Sequence, residues 1–222
     1  MRIIGLTGKA RSGKDTSCGF IQTWGERQGF EVARDAFARK LKESVAACFG
    51  ISAERAVQWC DWLKHDVFID VREGPTSEQA RRGGEGIVRE TITGREFLQR
   101  YGTEAHRELF DPEFWVNALL DDALPHGPDD PLVNTVVVIS DVRFENEARA
   151  IHNAGGEVWE VVRDDNPDAL DGDLAAHVSE SGVPHDLIDR VILNNGDLDH
   201  LEREVGIACV ETQQGARAEA LR

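Results

Sequence analysis

No stretch of this chain is apolar for long enough to span a bilayer. Positive charge is also in short supply. Lys and Arg number 25 against 41 Asp and Glu, a formal net charge of −16. Long nucleic acid would be repelled by such a surface, so a polynucleotide partner is not expected. A small nucleotide is not excluded, provided the positive charge is focused in one cleft. Lysine is especially scarce and arginine carries most of the positive charge, which suits bidentate contacts to phosphate oxygens. Cysteine is limited to Cys18, Cys48, Cys60 and Cys209. These show no paired metal spacing and read mostly as small buried hydrophobes on helices, with no disulfide expected. No apolar leader precedes the first motif, and there is no internal repeat. These absences point to a cytoplasmic protein with no membrane partner. At 222 residues the chain suits one domain, or one domain with an inserted lid.

What is present begins at once. Arg2-Ile3-Ile4-Gly5-Leu6-Thr7 is a short strand-like run, and it leads into Gly8-Lys9-Ala10-Arg11-Ser12-Gly13-Lys14-Asp15-Thr16. A glycine, four residues, then Gly-Lys is the spacing of a phosphate-binding loop. Its glycines let backbone N–H groups curl around phosphate oxygens. Its lysine reaches the β- and γ-phosphates, and the helix that follows points its positive end at them. The ordinary alternative is a Gly-rich turn, but the loop stands between a strand-like and a helix-like segment, as the mechanism requires. The residue after the lysine is usually Ser or Thr, a magnesium ligand. Here Asp15 stands there, with Thr16 next. Asp15 is expected to bind the ion directly or through water; otherwise it complements the helix dipole.

Strands are expected over 2–6, 30–34, 135–139, 157–162 and 187–193, and helices over 14–28, 38–49, 52–64, 94–106, 112–124, 144–154 and 197–205. Thr135 to Ile139 is a β-branched run, the pattern of a strand buried on both faces of a parallel sheet. Residues 72–92 are polar and rich in Gly and Arg, without clear period, and are expected to form a mobile loop or lid. The tail from Thr212 is expected to fray. The outcome is an α/β fold with a parallel sheet flanked by helices, as one domain over 1–210 with a lid-like insertion at about 65–93. Such a sheet binds ligands beyond the carboxyl ends of its strands.

Charged groups gather at those ends. Asp35 to Lys42 follows the second strand, Asp141-Val142-Arg143 follows the β-branched one, and Arg163 follows the next. Asp141 is either a magnesium-holding acid or a helix cap. Arg143 and Arg163 either clamp phosphates or are lone surface arginines. Arg95 and Gln99, four apart, share a helix face, and Gly102-Thr103 is expected to interrupt that helix. Trp115 can stack on a base, though a tryptophan on a helix is more often core. His177-Val178-Ser179-Glu180 follows a polar loop, with a helix cap as its plain reading.

Taken in order, these segments resemble the phage-type deoxynucleoside monophosphate kinases, a branch of the P-loop kinases. The likeness runs from the loop, where Asp15-Thr16 is typical, through Phe37-Ala38 to Leu41-Lys42. It continues with Arg95, Leu98-Gln99, Gly102-Thr103, Trp115-Val116, Ser140 to Glu147, Val161 to Arg163, His177 to Glu180, and Asn194-Asn195-Gly196. The lysine usual just before the loop arginine is here one place earlier, at Lys9. The resemblance implies a P-loop kinase fold with a lid and a helical acceptor-binding region. It implies transfer of the γ-phosphoryl group of ATP, with Mg2+, to a deoxynucleoside monophosphate.

By position, Gly8, Arg11, Ser12, Gly13, Lys14, Asp15, Thr16 and Arg163 would hold ATP and the ion, with Asp141 a further metal ligand. Lys14, Arg11, Asp15 and Arg143 would be catalytic. Lys42, Arg95, Gln99, Gly102, Thr103, Trp115, Asp141 and Arg143 would bind the acceptor, and Lys64, Arg72, Arg81 and Arg82 are basic residues available to a lid. Kinases of this resemblance are often dimers, which makes a homodimer one option, but the sequence leaves the oligomeric state open. Two rivals remain open. One is another small-molecule kinase, of the dephospho-coenzyme A or phosphomevalonate type. The other is a nucleotide-binding regulatory protein without transferase activity.

Overall fold

The computed structural model describes residues 2–66, 68–73, 88–125, 135–163 and 182–220. They fall into two compact units, Met1–Ala38 with Trp115–Arg222, and Arg39–Phe114.

The first unit is built on a parallel five-stranded sheet. Its strands are β1 (Arg2–Thr7), β2 (Glu31–Asp35), β5 (Thr135–Ile139), β6 (Glu157–Val162) and β7 (Arg190–Leu193), in the order β2-β5-β1-β6-β7. Successive side chains of a strand point to opposite faces, and both faces here are covered. Ile4, Leu6, Val136, Val138, Trp159 and Val161 join one apolar layer with Cys18 and Ile21 of helix α1 (Lys14–Arg27) and Leu201 and Val205 of helix α7 (Leu198–Ala220). Ile3, Val137, Ile139 and Val158 join the other. That layer includes Val116 and Leu119 of α5 (Phe114–Ala123) and Ala148 and Ile151 of α6 (Glu145–Asn153). All five residues of β5 are buried, as their β-branched run predicts. Because the strands are parallel, their carboxyl ends share one edge. Gly8, Asp141, Arg163 and Asn194 all lie just beyond strands on that edge, and Asp35 closes β2 there.

The second unit packs helices α2 (Phe37–Cys48, whose first two residues belong to the first unit), α3 (Ala53–Asp66) and α4 (Gly94–Gln99) around Val45, Cys60, Leu63 and Leu98. An antiparallel hairpin joins it, β3 (Phe68–Glu73) with β4 (Val88–Thr93), in register Phe68↔Thr93 to Glu73↔Val88. This corrects the expectation of a patternless segment over 72–92, since its flanks are paired strands. Ile92 is buried and Ile69 packs on the unit's core, so short β-branched stretches are held there by burial. The centre of the expected lid, including Arg81 and Arg82, and the run His177 to Glu180 lie outside the described residues.

Two further corrections concern helices. Gly102-Thr103 does not break the helical run after α4. The chain continues as a π-helical segment, Arg100–Glu108, with Gly102 buried inside it. Helix α7 does not end near residue 205; it extends to Ala220. Val205, Ala208, Cys209 and Thr212 keep a helical apolar stripe against the sheet layer. The Thr212 hydroxyl donates to Glu157 Oε2 at 2.7 Å. No helix among the described residues is long and apolar enough to cross a membrane.

Candidate active site

The loop between β1 and α1 takes the shape its sequence predicts. Gly8 and Gly13 have φ of +132° and +111°, in the left-handed region that glycine tolerates. Space enforces the same choice. A β-carbon on Gly8 would fall 2.4 Å from the Val161 carbonyl oxygen, and one on Gly13 would fall 2.5 Å from Asn194 Nδ2. Arg11 also sits at positive φ, +59°, although it is not a glycine. Such a residue carries a strain of about 1 kcal/mol or more, which clusters at functional turns. The Lys14 ammonium folds back over the loop and donates to the Gly8 and Lys9 carbonyls, each at 2.8 Å. The Ser12 hydroxyl is buried without a partner among the described residues. Asp15 lies in the first turn of α1 with its side chain 92% exposed, 3.4 Å from the Arg34 guanidinium.

A cavity of about 590 Å³ opens beside the loop. Arg11, Gly13, Lys14, Asp15, Thr16 and Arg163 line it, so these residues of the expected nucleotide-binding set are brought together, while Gly8 and Ser12 of that set are not among its lining. Asn194, Asp197 and Leu201 line it too, and they had been given no role. Asn194 Nδ2 donates to the Ser12 carbonyl at 2.7 Å, which ties the end of β7 to the loop. The signal for this was the polar Asn194-Asn195-Gly196 turn after the last apolar strand, on the same sheet edge as the loop.

Asp141 does not line that cavity. Its Oδ1 accepts the Phe37 amide at 2.7 Å and its Oδ2 the Ala38 amide at 2.8 Å. The carboxylate therefore caps the N-terminus of α2, a helix more than a hundred residues earlier in the chain. Burial pushes this carboxyl above the usual aspartate range, and the two amides only partly draw it back. The cap of its own following helix is Glu147, a buried carboxylate that accepts the Arg143 and Phe144 amides at 2.8 and 3.1 Å. Arg143 itself is exposed and does not line the cavity. Trp115 is 3% exposed, in the core role that a helical tryptophan usually takes. Neither ring face is open to a base in this arrangement.

In the second unit, Lys42 on α2 and Lys64 on α3 converge on one oxygen of Asp61, at 3.0 and 3.1 Å. Burial, and then the neighbouring Lys42 charge, pushes the Lys64 ammonium below the usual lysine range. Asp61 opposes this shift and Arg95 adds to it. Arg95 and Gln99 are half-buried on α4, one turn apart, and Thr103 is half-buried in the π-helical segment that follows. Lys42 and Arg95, paired by expectation, thus belong to one cationic group, and Lys64 joins them.

Comparison with known proteins gives one family, two relatives and two solved structures. The family model for deoxynucleotide monophosphate kinase matches residues 85–205, more than half of the chain. The deoxynucleoside-5'-monophosphate kinase of Escherichia phage T5 is 25% identical, aligned over 93% of this chain and 95% of that protein. The deoxynucleotide monophosphate kinase of Enterobacteria phage T4 is also 25% identical, over 90% and 95%. Among solved structures, a gluconokinase from Sinorhizobium meliloti 1021 matches at TM-score 0.39 and 11% identity, covering 98% of this chain and 97% of its own. The dephospho-CoA kinase from Campylobacter jejuni matches at 0.40 and 15%, covering 96% of each.

Proposed function

The chain belongs to the deoxynucleotide monophosphate kinase family, and on that premise we propose that it transfers the γ-phosphoryl group of ATP to a deoxynucleoside monophosphate, releasing ADP and the diphosphate. One observation carries the reading. The glycine loop, its lysine and two arginines surround a single cavity at the carboxyl edge of a parallel sheet.

The reaction asks little covalent help of the protein. The acceptor phosphate is largely dianionic near neutral pH, so it attacks without a general base. Catalysis is positioning and charge neutralisation. Backbone amides of Gly8 to Gly13 and the Ser12 hydroxyl cradle the donor phosphates. Lys14 leaves the loop carbonyls for the β- and γ-phosphate oxygens, and Arg11 and Arg163 offset the charge on the transferred group. Arg143 keeps only the role that the resemblance implies, since it is exposed and does not line the cavity. Lys42 and Arg95 bind the acceptor phosphate, with Gln99, Gly102 and Thr103 shaping the pocket. Trp115 is buried in the core, and stacking on a base would require its cover to move.

Magnesium is the metal that the resemblance implies. Among the described residues no three acidic, histidine or cysteine side chains cluster as a metal cage. Mg2+ does not demand one, since one or two carboxylates, waters and substrate phosphates commonly hold it. Asp15 and Thr16 present hard oxygen donors on the cavity wall and fit this pattern. Each Asp141 oxygen keeps a lone pair beyond the amide it accepts, which suits an additional contact. When bound, magnesium supplies charge neutralisation at the β- and γ-phosphate oxygens.

A coupled ADP-release assay across deoxy- and ribonucleoside monophosphates tests the reading. Turnover with at least one deoxynucleoside monophosphate is expected. Turnover only with a hydroxyl acceptor such as dephospho-coenzyme A, or binding of ATP with no turnover at all, overturns it. The oligomeric state, monomer or homodimer, is measured directly by sedimentation velocity.

A further inference from the structure

On α2 two cations are neutralised by a neighbour on their own helix, and Arg100, which follows α4, is paired one turn back in the same way. Arg39 and Lys40 share Glu43, at 2.7 and 3.9 Å, and Glu96 takes the Arg100 guanidinium at 2.7 Å. Lys42, Lys64 and Arg95 differ as a group: Lys64 pairs with Asp61 on its own helix α3, but Lys42 reaches the same carboxylate from α2. Among the described residues a single carboxylate, Asp61, is ion-paired with this group, through one oxygen only. The exposures run the opposite way from an ordinary surface pair. The lysine side chains are 15% and 29% exposed, whereas that of Asp61 is 52% exposed. Two partly desolvated ammonium groups are therefore held about one point by an anion that itself faces water. Arg95 adds a third positive charge, near enough to Lys64 to disfavour its ammonium form.

A phosphate monoester carries a charge of about −1.5 to −2 and three acceptor oxygens. It matches this group better than a lone carboxylate does, both in charge and in the number of donors it can satisfy. We propose that Asp61 is an internal stand-in for the acceptor's phosphate: it keeps Lys42 and Lys64 converged and yields them when the phosphate arrives. This rests on the reading of the chain as a monophosphate kinase. Asp61 is a specificity-determining residue in consequence. A ligand without a phosphate lacks the charge to displace it, so an uncharged nucleoside is rejected at this position. The lysines stay partly buried throughout, and the exposed partner is the one that moves.

The test is Asp61→Asn, a near-isosteric change at a half-exposed position, beside Lys64→Met. Inorganic phosphate is titrated calorimetrically into each protein saturated with a non-hydrolysable ATP analogue, which occupies the donor loop. KM is measured for monophosphate and for ATP. Asp61→Asn is expected to bind phosphate about five-fold more tightly and to lower the monophosphate KM by a similar factor, with the ATP KM unchanged. Lys64→Met is expected to weaken both phosphate binding and monophosphate KM about ten-fold. Unchanged or weaker phosphate binding in Asp61→Asn overturns the proposal, because Asp61 would then position the lysines rather than compete for them. Absence of turnover with every monophosphate overturns the kinase reading alone, and the phosphate titration still decides on Asp61.

Discussion

Asn194 and Ser12, 182 positions apart in the chain, are joined by a hydrogen bond from the Asn194 side-chain amide to the Ser12 carbonyl at 2.7 Å. The same amide stands where a β-carbon on Gly13 would fall. The Asn194 backbone amide meanwhile continues the sheet ladder by donating to the Val162 carbonyl at 2.8 Å. One residue thus anchors the loop, from the side, to the end of strand β7. Asn194→Ala removes the donor and opens space beside Gly13. Loss of one such bond costs about 1 kcal/mol of stability, and the loosened loop is expected to raise the ATP KM several-fold. Chemical denaturation and steady-state kinetics check both, and an unchanged ATP KM would show that the loop holds its shape without this strut.

Lys14→Ala tests the donor half. The two loop carbonyls that now accept from the ammonium, Gly8 and Lys9, are left to water, a small structural effect at a partly exposed site. The catalytic effect is large by comparison. Losing one key electrostatic group typically removes about two orders of magnitude or more in rate, so kcat should fall at least about 100-fold with little change in melting temperature. Near-wild-type turnover would exclude this lysine from the chemistry.

Asp141→Asn separates a structural from a chemical role. A carboxylate offers an acceptor oxygen to each of the Phe37 and Ala38 amides, whereas an asparagine side chain offers one oxygen and one NH2. One buried amide then faces a donor. The expected loss is about 1–3 kcal/mol in unfolding free energy, together with local loosening at the start of α2. Hydrogen exchange at Phe37 and Ala38 is the direct measurement, and wild-type protection there would contradict the cap.

Glu157→Gln addresses pH. Burial pushes the Glu157 carboxyl up, but hydrogen bonds from Arg190, Trp159 and Thr212 outweigh it and hold the group below the usual glutamate range. A carboxyl whose folded value lies below its unfolded one binds more protons unfolded. Its contribution is therefore full above the ordinary glutamate value of about 4.3 and is lost as pH falls through the lower folded value. Glu157→Gln should be less stable than wild type at pH 7, and the gap should narrow as pH falls below about 4. A gap independent of pH would mean that the network acts through packing alone.

The clearest features in the sequence are those whose cause lies within a few residues. Gly8 and Gly13 are demanded by the loop's own backbone, Thr135 to Ile139 by burial on both sides, and the start of α1 by its place after the loop. The hairpin over 68–73 and 88–93 was obscured because its strands are short and the chain between them is polar and rich in glycine and arginine. Gly206 reads as the stop of helix α7, yet Ile207 to Val210 beyond it are apolar and Ala208, Cys209 and Thr212 continue the sheet-facing stripe. Gly102 looked like a break, yet a buried glycine inside a helix can instead permit close packing.

A nine-residue stretch, Gly8 to Thr16, with the strand before it and the helix after it, therefore specified the loop's shape, because that geometry depends on local backbone rules and on one lysine's reach. Everything that surrounds the loop depends on strand order. Only the arrangement β2-β5-β1-β6-β7 puts β1 in the middle with β6 beside it and β7 next, and so brings Arg163 and Asn194 to the loop. The same long-range packing turned Asp141 into the cap of a distant helix and closed both faces of Trp115. It also gathered Lys42, Asp61, Lys64 and Arg95 from three helices into one charged group. Such groupings are set by the shape of the core, and no window of neighbouring residues encodes them.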